Sequence, residues 1–359
     1  MRPARLLPFA PPCWALPSLA LLLSACARAE APKAPEGPRL VLPVACRIGD
    51  ACEVQTYVDK DASVGVQDYM CGERTNEGHD GVDIRVLDLA AQARGVDVLA
   101  GADGRVARLR DGMADVSIAA PDAPLVAGQE CGNGVVIDHG DGWETQYCHL
   151  ARGSVRVKVG EQVRAGQPIA RVGLSGQTEF PHLHLAVRHD GVAVDPFSPD
   201  PYAEACQPQP GLWTAEAARQ LAYKTGAVLN TGFAAAPVDM AAVEGGAVGA
   251  PGPDAPVLVA YVRAINLEGG DVQELTLRGP DGAILATSTL PPLDRAKAQY
   301  MMFVGKKRPP EGWPGGVYVA SYRVSRNGQA ALSRSWRLEW PGDPGQSLSK
   351  AEIQSSQKR

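Results

Sequence analysis

The chain has 359 residues, of which 45% are hydrophobic, and a formal net charge of −5. This composition is typical of a globular protein rather than a disordered one, and the length predicts two domains plus tails. The absence of a basic run argues against a nucleic-acid partner, and 39 glycines with 30 prolines indicate many turns and therefore β-structure.

The N-terminus has the features of an export signal. Positive charges precede an apolar stretch, residues 16–25, that is too short to span a bilayer. The sequence L-S-A-C at its end resembles a bacterial lipobox, which makes Cys26 the expected lipidated first residue. The alternative is ordinary cleavage after Ala29, where small residues also occur. We interpret residues 1–25 as a lipoprotein-type signal peptide and residues 26–43 as a flexible tether.

The same segment predicts the location of the protein. Ala27 follows the candidate lipid site, whereas an aspartate there would, by resemblance to Gram-negative lipoproteins, retain the protein at the inner membrane. We therefore expect an exported, periplasmic protein anchored to the outer membrane, with a soluble periplasmic or secreted protein as the alternative. The N-terminal lipid is the only membrane contact that we expect.

Residues 44–205 carry a first β-pattern. They are rich in valine and punctuated by glycine, which predicts many short strands. Residues 111–130 interrupt the pattern with a loop that is longer than a usual hairpin connection. Long loops are often functional, so two interpretations stay open: a loop beside an active cleft, or a plain surface insertion.

The C-terminal half has a second β-pattern. Residues 206–256 are predicted as a helix and linker, with the helix over residues 213–224 capped by Thr214. Residues 257–342 contain six strand candidates and hairpin turns, which predict a small immunoglobulin-like β-sandwich. The polar residues 343–359 are predicted to be a disordered tail. The fold class predicted for the chain is therefore all-β.

Six of the eight cysteines are expected in the mature, exported domains, which predicts three disulfides. Only one pair can be argued from the sequence. A turn at residues 139–142 would fold the chain into a hairpin that brings Cys131 and Cys148 onto adjacent strands. Metal ligation by these cysteines is disfavoured because oxidised sulfur cannot bind a metal. The partners are left open for the remaining four, Cys46, Cys52, Cys71 and Cys206.

Three short segments carry most of the residues that suggest chemistry. His79 and Asp83 lie in G-H-D-G-V-D, His149 in Q-Y-C-H-L, and His182 and His184 in F-P-H-L-H-L. The chain has only six histidines, so four of them fall in these segments. Two imidazoles and one carboxylate would bind zinc and leave a position open for water, as in catalytic zinc sites. The two remaining histidines could then act as acid and base.

Strand geometry predicts how these side chains point. His182 and His184 are two residues apart and should face one cleft. By the same alternation, the side chains of the neighbours Cys148 and His149 should point to opposite faces of their strand. Gly81 is expected to let the backbone bend so that His79 and Asp83 converge. Three further polar residues are not expected to join the site: Asp80 should point away from it, and His139 and His189 are interpreted as structural.

Together these motifs resemble the lysostaphin/LytM-type zinc metallopeptidases over residues 78–196. The resemblance implies a duplicated-hybrid-motif fold of antiparallel sheets for residues 44–205 and hydrolysis of peptide bonds in peptidoglycan. It also implies that His79, Asp83 and His184 hold Zn²⁺. His149 and His182 would be the catalytic pair, and which of them takes the proton stays open.

The leading hypothesis is thus a zinc metalloendopeptidase that acts on peptidoglycan peptides. The alternative is a non-catalytic regulator of cell-wall amidases, although relatives of that kind typically lack zinc ligands that this chain retains. A carrier domain of the lipoyl or biotinyl type is disfavoured because residues 173–176 contain no acceptor lysine. The C-terminal sandwich is expected to bind the wall, a cell-envelope protein partner, or the catalytic domain itself.

Overall fold

The computed structural model describes residues 37–121, 123, 125–200, 206 and 210–341. The predicted signal peptide with Cys26, most of the tether and the predicted tail lie outside these residues. Three helices of six residues each occur in the described part, and the other regular elements are strands. The predicted all-β class is therefore confirmed. None of the helices in the described ranges has the length and apolarity needed to cross a bilayer.

The first half is built on an antiparallel sheet of eight strands. Its order is β1-β2-β9-β6-β5-β4-β7, with β10 paired to β9. The strands are β1 (Cys52–Thr56), β2 (Val82–Val86), β4 (Gly104–Arg110), β5 (Asn133–Gly140), β6 (Trp143–Leu150), β7 (Gln162–Val163), β9 (His182–His189) and β10 (Val192–Val194). Strands β3 (Asp97–Leu99) and β8 (Pro168–Arg171) form a separate pair, and helix α1 (Leu89–Arg94) follows β2.

Alternation along the central strands separates a core face from a polar face. Leu183 and Leu185 of β9 and Ile84 of β2 are fully buried in the core. Burial of each such side chain stabilises the fold by about 1.5–3 kcal/mol. The register pairs Asp83 with His184, so the polar residues of β2 and β9 are cross-strand neighbours. Packing of the leucines thus dictates which way the histidines of β9 point.

The second half consists of two sheets around their own core. One sheet has three strands, β11 (Ala227–Ala234), β12 (Val257–Leu267) and β15 (Lys297–Lys307), in the order β11-β12-β15. The other has four, β13 (Val272–Arg278), β14 (Ile284–Thr289), β16 (Gly316–Arg326) and β17 (Gln329–Trp340), in the order β14-β13-β16-β17. Leu258, Leu275 and Tyr318 are fully buried between them. The immunoglobulin-like assignment of this sandwich stays a prediction.

Strand β11 was not predicted from the sequence, because it lies in the segment interpreted as helix and linker. Its centre, Asn230-Thr231-Gly232, is polar and contains a glycine, which hides the alternation typical of strands. A register shift between Val228 and Asn230 disturbs the pattern further. The segment also holds helices α2 (Ala215–Gln220) and α3 (Met240–Gly245). Thr214 caps α2 as predicted, with its side chain accepting a hydrogen bond from the amide of Ala217.

Three disulfides join the six cysteines of the described part: Cys46–Cys52, Cys71–Cys206 and Cys131–Cys148. The third is the pair argued from the hairpin. Its turn residues Asp141 and Gly142 have φ angles of 48° and 78°, as a two-residue hairpin turn requires. Cys71 and Cys206 are 135 residues apart, and sequence alone carries no signal for such a distant pair.

Replacing Cys131 and Cys148 together by serine should lower the free energy of unfolding by about 3 kcal/mol, because the bond closes a chain segment of 17 residues. The matched control replaces Cys46 and Cys52, which are only 6 residues apart, and should cost less, about 2 kcal/mol. Urea denaturation of the oxidised proteins measures both values. A double variant at residues 131 and 148 that is as stable as the parent would contradict this expectation.

Candidate metal centre and catalytic cleft

His79, Asp83 and His184 converge in one cluster. One ligand atom from each lies within 4.8 Å of the others. His79 Nε2 is 3.1 Å from Asp83 Oδ2, and His184 Nδ1 is 2.9 Å from Asp83 Oδ1. The loop before β2 supplies His79, β2 supplies Asp83, and the neighbouring strand β9 supplies His184. The three side chains that the family resemblance implied as ligands are therefore adjacent in space.

Gly81 has a different role from the one predicted. A Cβ atom there would lie 2.6 Å from the imidazole of His184 and 2.7 Å from the carbonyl oxygen of Leu185. Its φ is not among the positive values of the chain, so the backbone needs no special conformation at this point. Glycine is required because the His184 ring packs directly on the main chain.

Hydrogen bonds behind the cluster select which nitrogen of each ring faces it. His79 Nδ1 donates to the carbonyl oxygen of Tyr57 at 2.7 Å, which leaves the Nε2 lone pair for the cluster. His184 Nε2 contacts Asp80 Oδ1 at 3.2 Å, which leaves Nδ1 to face the cluster. Metal-binding imidazoles commonly have such a carbonyl or carboxylate partner, which fixes the ring and its tautomer.

The prediction that Asp80 points away is wrong. Its carboxylate is held between His184 and Arg188, whose Nη2 atom donates to Asp80 Oδ2 at 2.5 Å. Arg188 in turn donates from Nη1 to Gln146 Oε1 at 2.6 Å. Asp80 lies in a loop, where strand alternation does not apply, and its partner Arg188 is 108 residues further along the chain.

His149 and His182 stand beside this cluster with their ring centroids 4.6 Å apart. His149 Nδ1 donates to the carbonyl oxygen of Ser175 at 2.8 Å, and His182 Nδ1 donates to that of Phe180 at 2.9 Å. Whenever either ring is neutral, its Nε2 atom therefore carries the lone pair. His182 Nε2 is 3.4 Å from Asp83 Oδ1, so the catalytic pair implied by the resemblance adjoins the proposed ligands.

The expected direction of Cys148 is wrong: it lies opposite His184 in the register of β6 and β9, on the face that carries the site, and strand alternation fails at its neighbour. His149 has a φ of 59°, a left-handed conformation that is uncommon for residues other than glycine. Consequently Cys148 and His149, although adjacent in sequence, both line the same cavity. The amide of His149 also donates to the carbonyl oxygen of Cys131 at 2.8 Å, beside the disulfide. Positive φ at a polar residue is frequent at functional sites.

The electrostatics follow from burial and close pairing. Burial opposes ionisation of Asp83, but the charges of His182 and His79 hold its pKa well below the ordinary value. Burial lowers the pKa of His184, yet its hydrogen bonds to Asp80 and Asp83 raise that pKa to about 9. Without a cation the cluster thus retains a proton on His184, which a metal ion would have to displace.

His149 shows the opposite behaviour. Burial, followed by the nearby charges of His182 and His184, lowers the pKa of His149 to about 3. The ring is therefore neutral near pH 7, with the lone pair on Nε2.

The five side chains line a cavity of about 920 Å³. Ile118 and Glu130 of the long loop also line it, and the amide of Ile118 donates to the carbonyl oxygen of Thr178 at 2.9 Å. Of the two interpretations of residues 111–130, the loop beside the cleft is therefore the one the structure favours. The other two histidines lie elsewhere: His139 bonds to Asp103 and Thr145, and His189 stacks on Trp143.

Comparison with known proteins identifies this part of the chain. Residues 77–196 match the model of peptidase family M23, so the chain contains a domain of that family. The resemblance to lysostaphin/LytM-type peptidases is thereby confirmed.

Three curated relatives match parts of this chain. Cell division protein DipM of Caulobacter vibrioides is 33% identical over 125 residues, which are 35% of this chain and 17% of DipM. Murein hydrolase activator EnvC of Escherichia coli is 48% identical over 62 residues, 17% of this chain and 14% of EnvC. DD-carboxypeptidase/endopeptidase Mpg of Neisseria meningitidis is 38% identical over 93 residues, 26% of this chain and 20% of Mpg. The chain thus spans at most 20% of these relatives.

Proposed function

We propose that this chain is a zinc-dependent endopeptidase that hydrolyses peptide bonds in bacterial peptidoglycan. The observation that carries the proposal is the cluster of His79, Asp83 and His184 with two further histidines beside it in one cavity. The M23 domain supports it, as does the relative named as a DD-carboxypeptidase/endopeptidase.

The donor set fits zinc. Two imidazole nitrogens and one carboxylate are the ligands of many catalytic zinc sites, which keep a further position open. His79 Nε2, a carboxylate oxygen of Asp83 and His184 Nδ1 would hold the ion. Bound Zn²⁺ would supply Lewis acid chemistry, that is, polarisation of a carbonyl group and activation of water.

His149 and His182 would move the protons. Each ring donates its Nδ1 proton to a backbone carbonyl, so each has Nε2 free to accept a proton from the attacking water. Once protonated, the same nitrogen can donate to the negative oxygen of the scissile carbonyl or to the leaving amine. Burial of both rings limits competing contacts with bulk water. Either histidine can fill either role in this geometry.

The second candidate function is activation of another wall hydrolase without catalysis. The relative named as a murein hydrolase activator favours it. The retention of all five site residues in one cavity supports the enzyme instead.

Incubation of the zinc-loaded protein with purified peptidoglycan, followed by mass analysis of the released fragments, separates the two candidates. We expect newly cut peptides, and no cutting after treatment with a chelator. Intact peptides together with stimulation of an added wall amidase would instead establish the activator. Intact peptides without any stimulation would contradict both.

Asp80 should strengthen the zinc site without binding the ion. The variant Asp80→Asn removes the negative charge behind His184 and should weaken zinc affinity about 10- to 100-fold, as loss of such outer partners typically does. Competition with a chelating indicator measures the affinity of the folded proteins. Glu77→Gln, at an exposed acidic residue of the same cleft, is the matched control and should leave it unchanged. Equal zinc affinities of the parent protein, Asp80→Asn and Glu77→Gln would contradict this role of Asp80.

We further propose that the protein acts in the cell envelope. Three disulfides support an oxidising compartment such as the periplasm. Lipidation at Cys26 and anchoring to the outer membrane are part of this proposal. Metabolic labelling with a radioactive fatty acid tests the lipidation. The parent protein should carry the label and Cys26→Ser should not. A parent protein without label would contradict lipidation.

A further inference from the structure

One wall of the cleft comes from the C-terminal sandwich. The cavity that holds the five site residues is also lined by residues 266–268, at the end of β12, and by residues 296–298, at the start of β15. Both segments lie far outside the part of the chain that matches family M23. We call residues 266–268 and 296–298 the sandwich wall.

Gln55 of β1 fixes both segments of the sandwich wall to the eight-stranded sheet. Its side chain donates to the carbonyl oxygen of Ala298 at 3.1 Å, and its own carbonyl oxygen accepts from Asn266 Nδ2 at 2.9 Å. Arg85 Nη1 donates to Gln55 Oε1 at 2.9 Å and holds the amide in this orientation. Gln55 is buried, so water competes little for these bonds.

Buried ion pairs hold the two halves together in addition to the hydrogen bonds of Gln55. Glu244 of α3 pairs with Arg85 of β2 and with Arg263 of β12, and both arginine side chains are fully buried. Arg263 also donates to the carbonyl oxygen of Leu87 at 2.6 Å. Such pairs tolerate little displacement, because separation would leave a buried charge without a partner. The sandwich wall is therefore a preformed part of the cleft.

The sandwich wall has the shape and chemistry to receive an extended chain. Ala296, just before β15, and Ala298, within it, are both exposed and both line the cavity. Their small side chains leave space in the cavity that they line. Within the described sheets β15 is an edge strand; the carbonyl of Ala298 is taken by Gln55, so the wall would contact a peptide mainly through its side chains.

We propose that the C-terminal sandwich contacts the substrate directly and that its wall selects extended peptide segments. This inference rests on the proposed function, because it places the peptide substrate in the cleft of the five site residues. The sandwich then acts in recognition at the catalytic cleft.

Narrowing the cleft from the sandwich side tests the proposal. Ala296→Trp and Ala298→Trp should each raise KM for soluble peptidoglycan peptides about tenfold, because added bulk displaces the substrate from a fitted space. Zinc content and melting temperature should stay at their parental values, and kcat should change little. Ala283→Trp, at an exposed alanine between β13 and β14 that does not line the cavity, is the matched control and should leave KM unchanged.

Peptide binding by a hydrolysis-deficient protein separates this inference from the proposed function. In a His149→Asn background, calorimetry with the same peptides should show about tenfold weaker binding when Ala296→Trp is added. This result would support the sandwich wall even if the parent protein failed to cut. Unchanged KM and unchanged peptide affinity in both tryptophan variants would overturn the inference, and so would the absence of peptide binding in the His149→Asn protein.

Discussion

Replacing Asp83 by alanine should abolish zinc binding and peptide hydrolysis together. The Asp83 carboxylate contacts His79 through one oxygen and His184 through the other, so its loss removes a ligand and the partner of both remaining ligands. A catalytic metal supplies several kcal/mol of transition-state stabilisation, so we expect kcat/KM to fall by about 10³-fold or more. Zinc per chain is measured by mass spectrometry, and hydrolysis on peptidoglycan peptides.

Two further variants control for folding and for charge. Asp83→Asn keeps the side-chain volume in the buried strand β2 and should also lose zinc affinity. Asp50→Ala, at an exposed aspartate that does not line the cleft, should keep both zinc and activity. Normal zinc content in Asp83→Ala would exclude this residue as a ligand and with it the proposed metal centre.

Replacing His149 by alanine should remove activity while zinc stays bound. Loss of a positioned acid–base group typically lowers kcat about 10²- to 10⁴-fold. The residue lies beside the cluster, and its Nδ1 atom is engaged by the carbonyl oxygen of Ser175. Steady-state kinetics and zinc analysis of the same preparation measure both quantities.

The positive φ of His149 calls for a second variant. Alanine is strained in the left-handed region, whereas asparagine adopts it more readily, so His149→Asn should retain the backbone. His189→Ala, at a histidine that stacks on Trp143 outside the cleft, should keep full kcat. Simultaneous loss of zinc and activity in His149→Asn would make this residue a ligand and overturn its assignment.

The sequence was sufficient to predict that the five candidate residues lie together, because local rules position most of them. Alternation places His182 and His184 on one face, and the apolar residues between and beside them select that face. Pairing of β2 with β9 then brings Asp83 to His184. The hairpin turn likewise allowed Cys131 and Cys148 to be paired in advance.

Features that depend on distant parts of the chain were missed. Asp80 turns toward His184 because Arg188 of β9 holds it there, and nothing in G-H-D-G-V-D indicates that contact. Cys148 lines the cavity because the register of β6 and β9 sets it opposite His184, and the backbone angle of His149, which residue type does not predict, turns that side chain to the same cavity. The sandwich wall was missed because it depends on packing of the C-terminal sandwich against the first half of the chain. The two separate β-patterns do not specify that packing.

The buried position of Arg85 couples the unfolding of the two halves of the protein. A chain truncated after residue 226 would lack Glu244 and would place a formerly buried guanidinium, together with the strand edge around Gln55, in contact with solvent. The M23 segment is thus less stable alone than within the whole chain. Heat or denaturant should accordingly melt both halves in a single cooperative transition rather than one after the other.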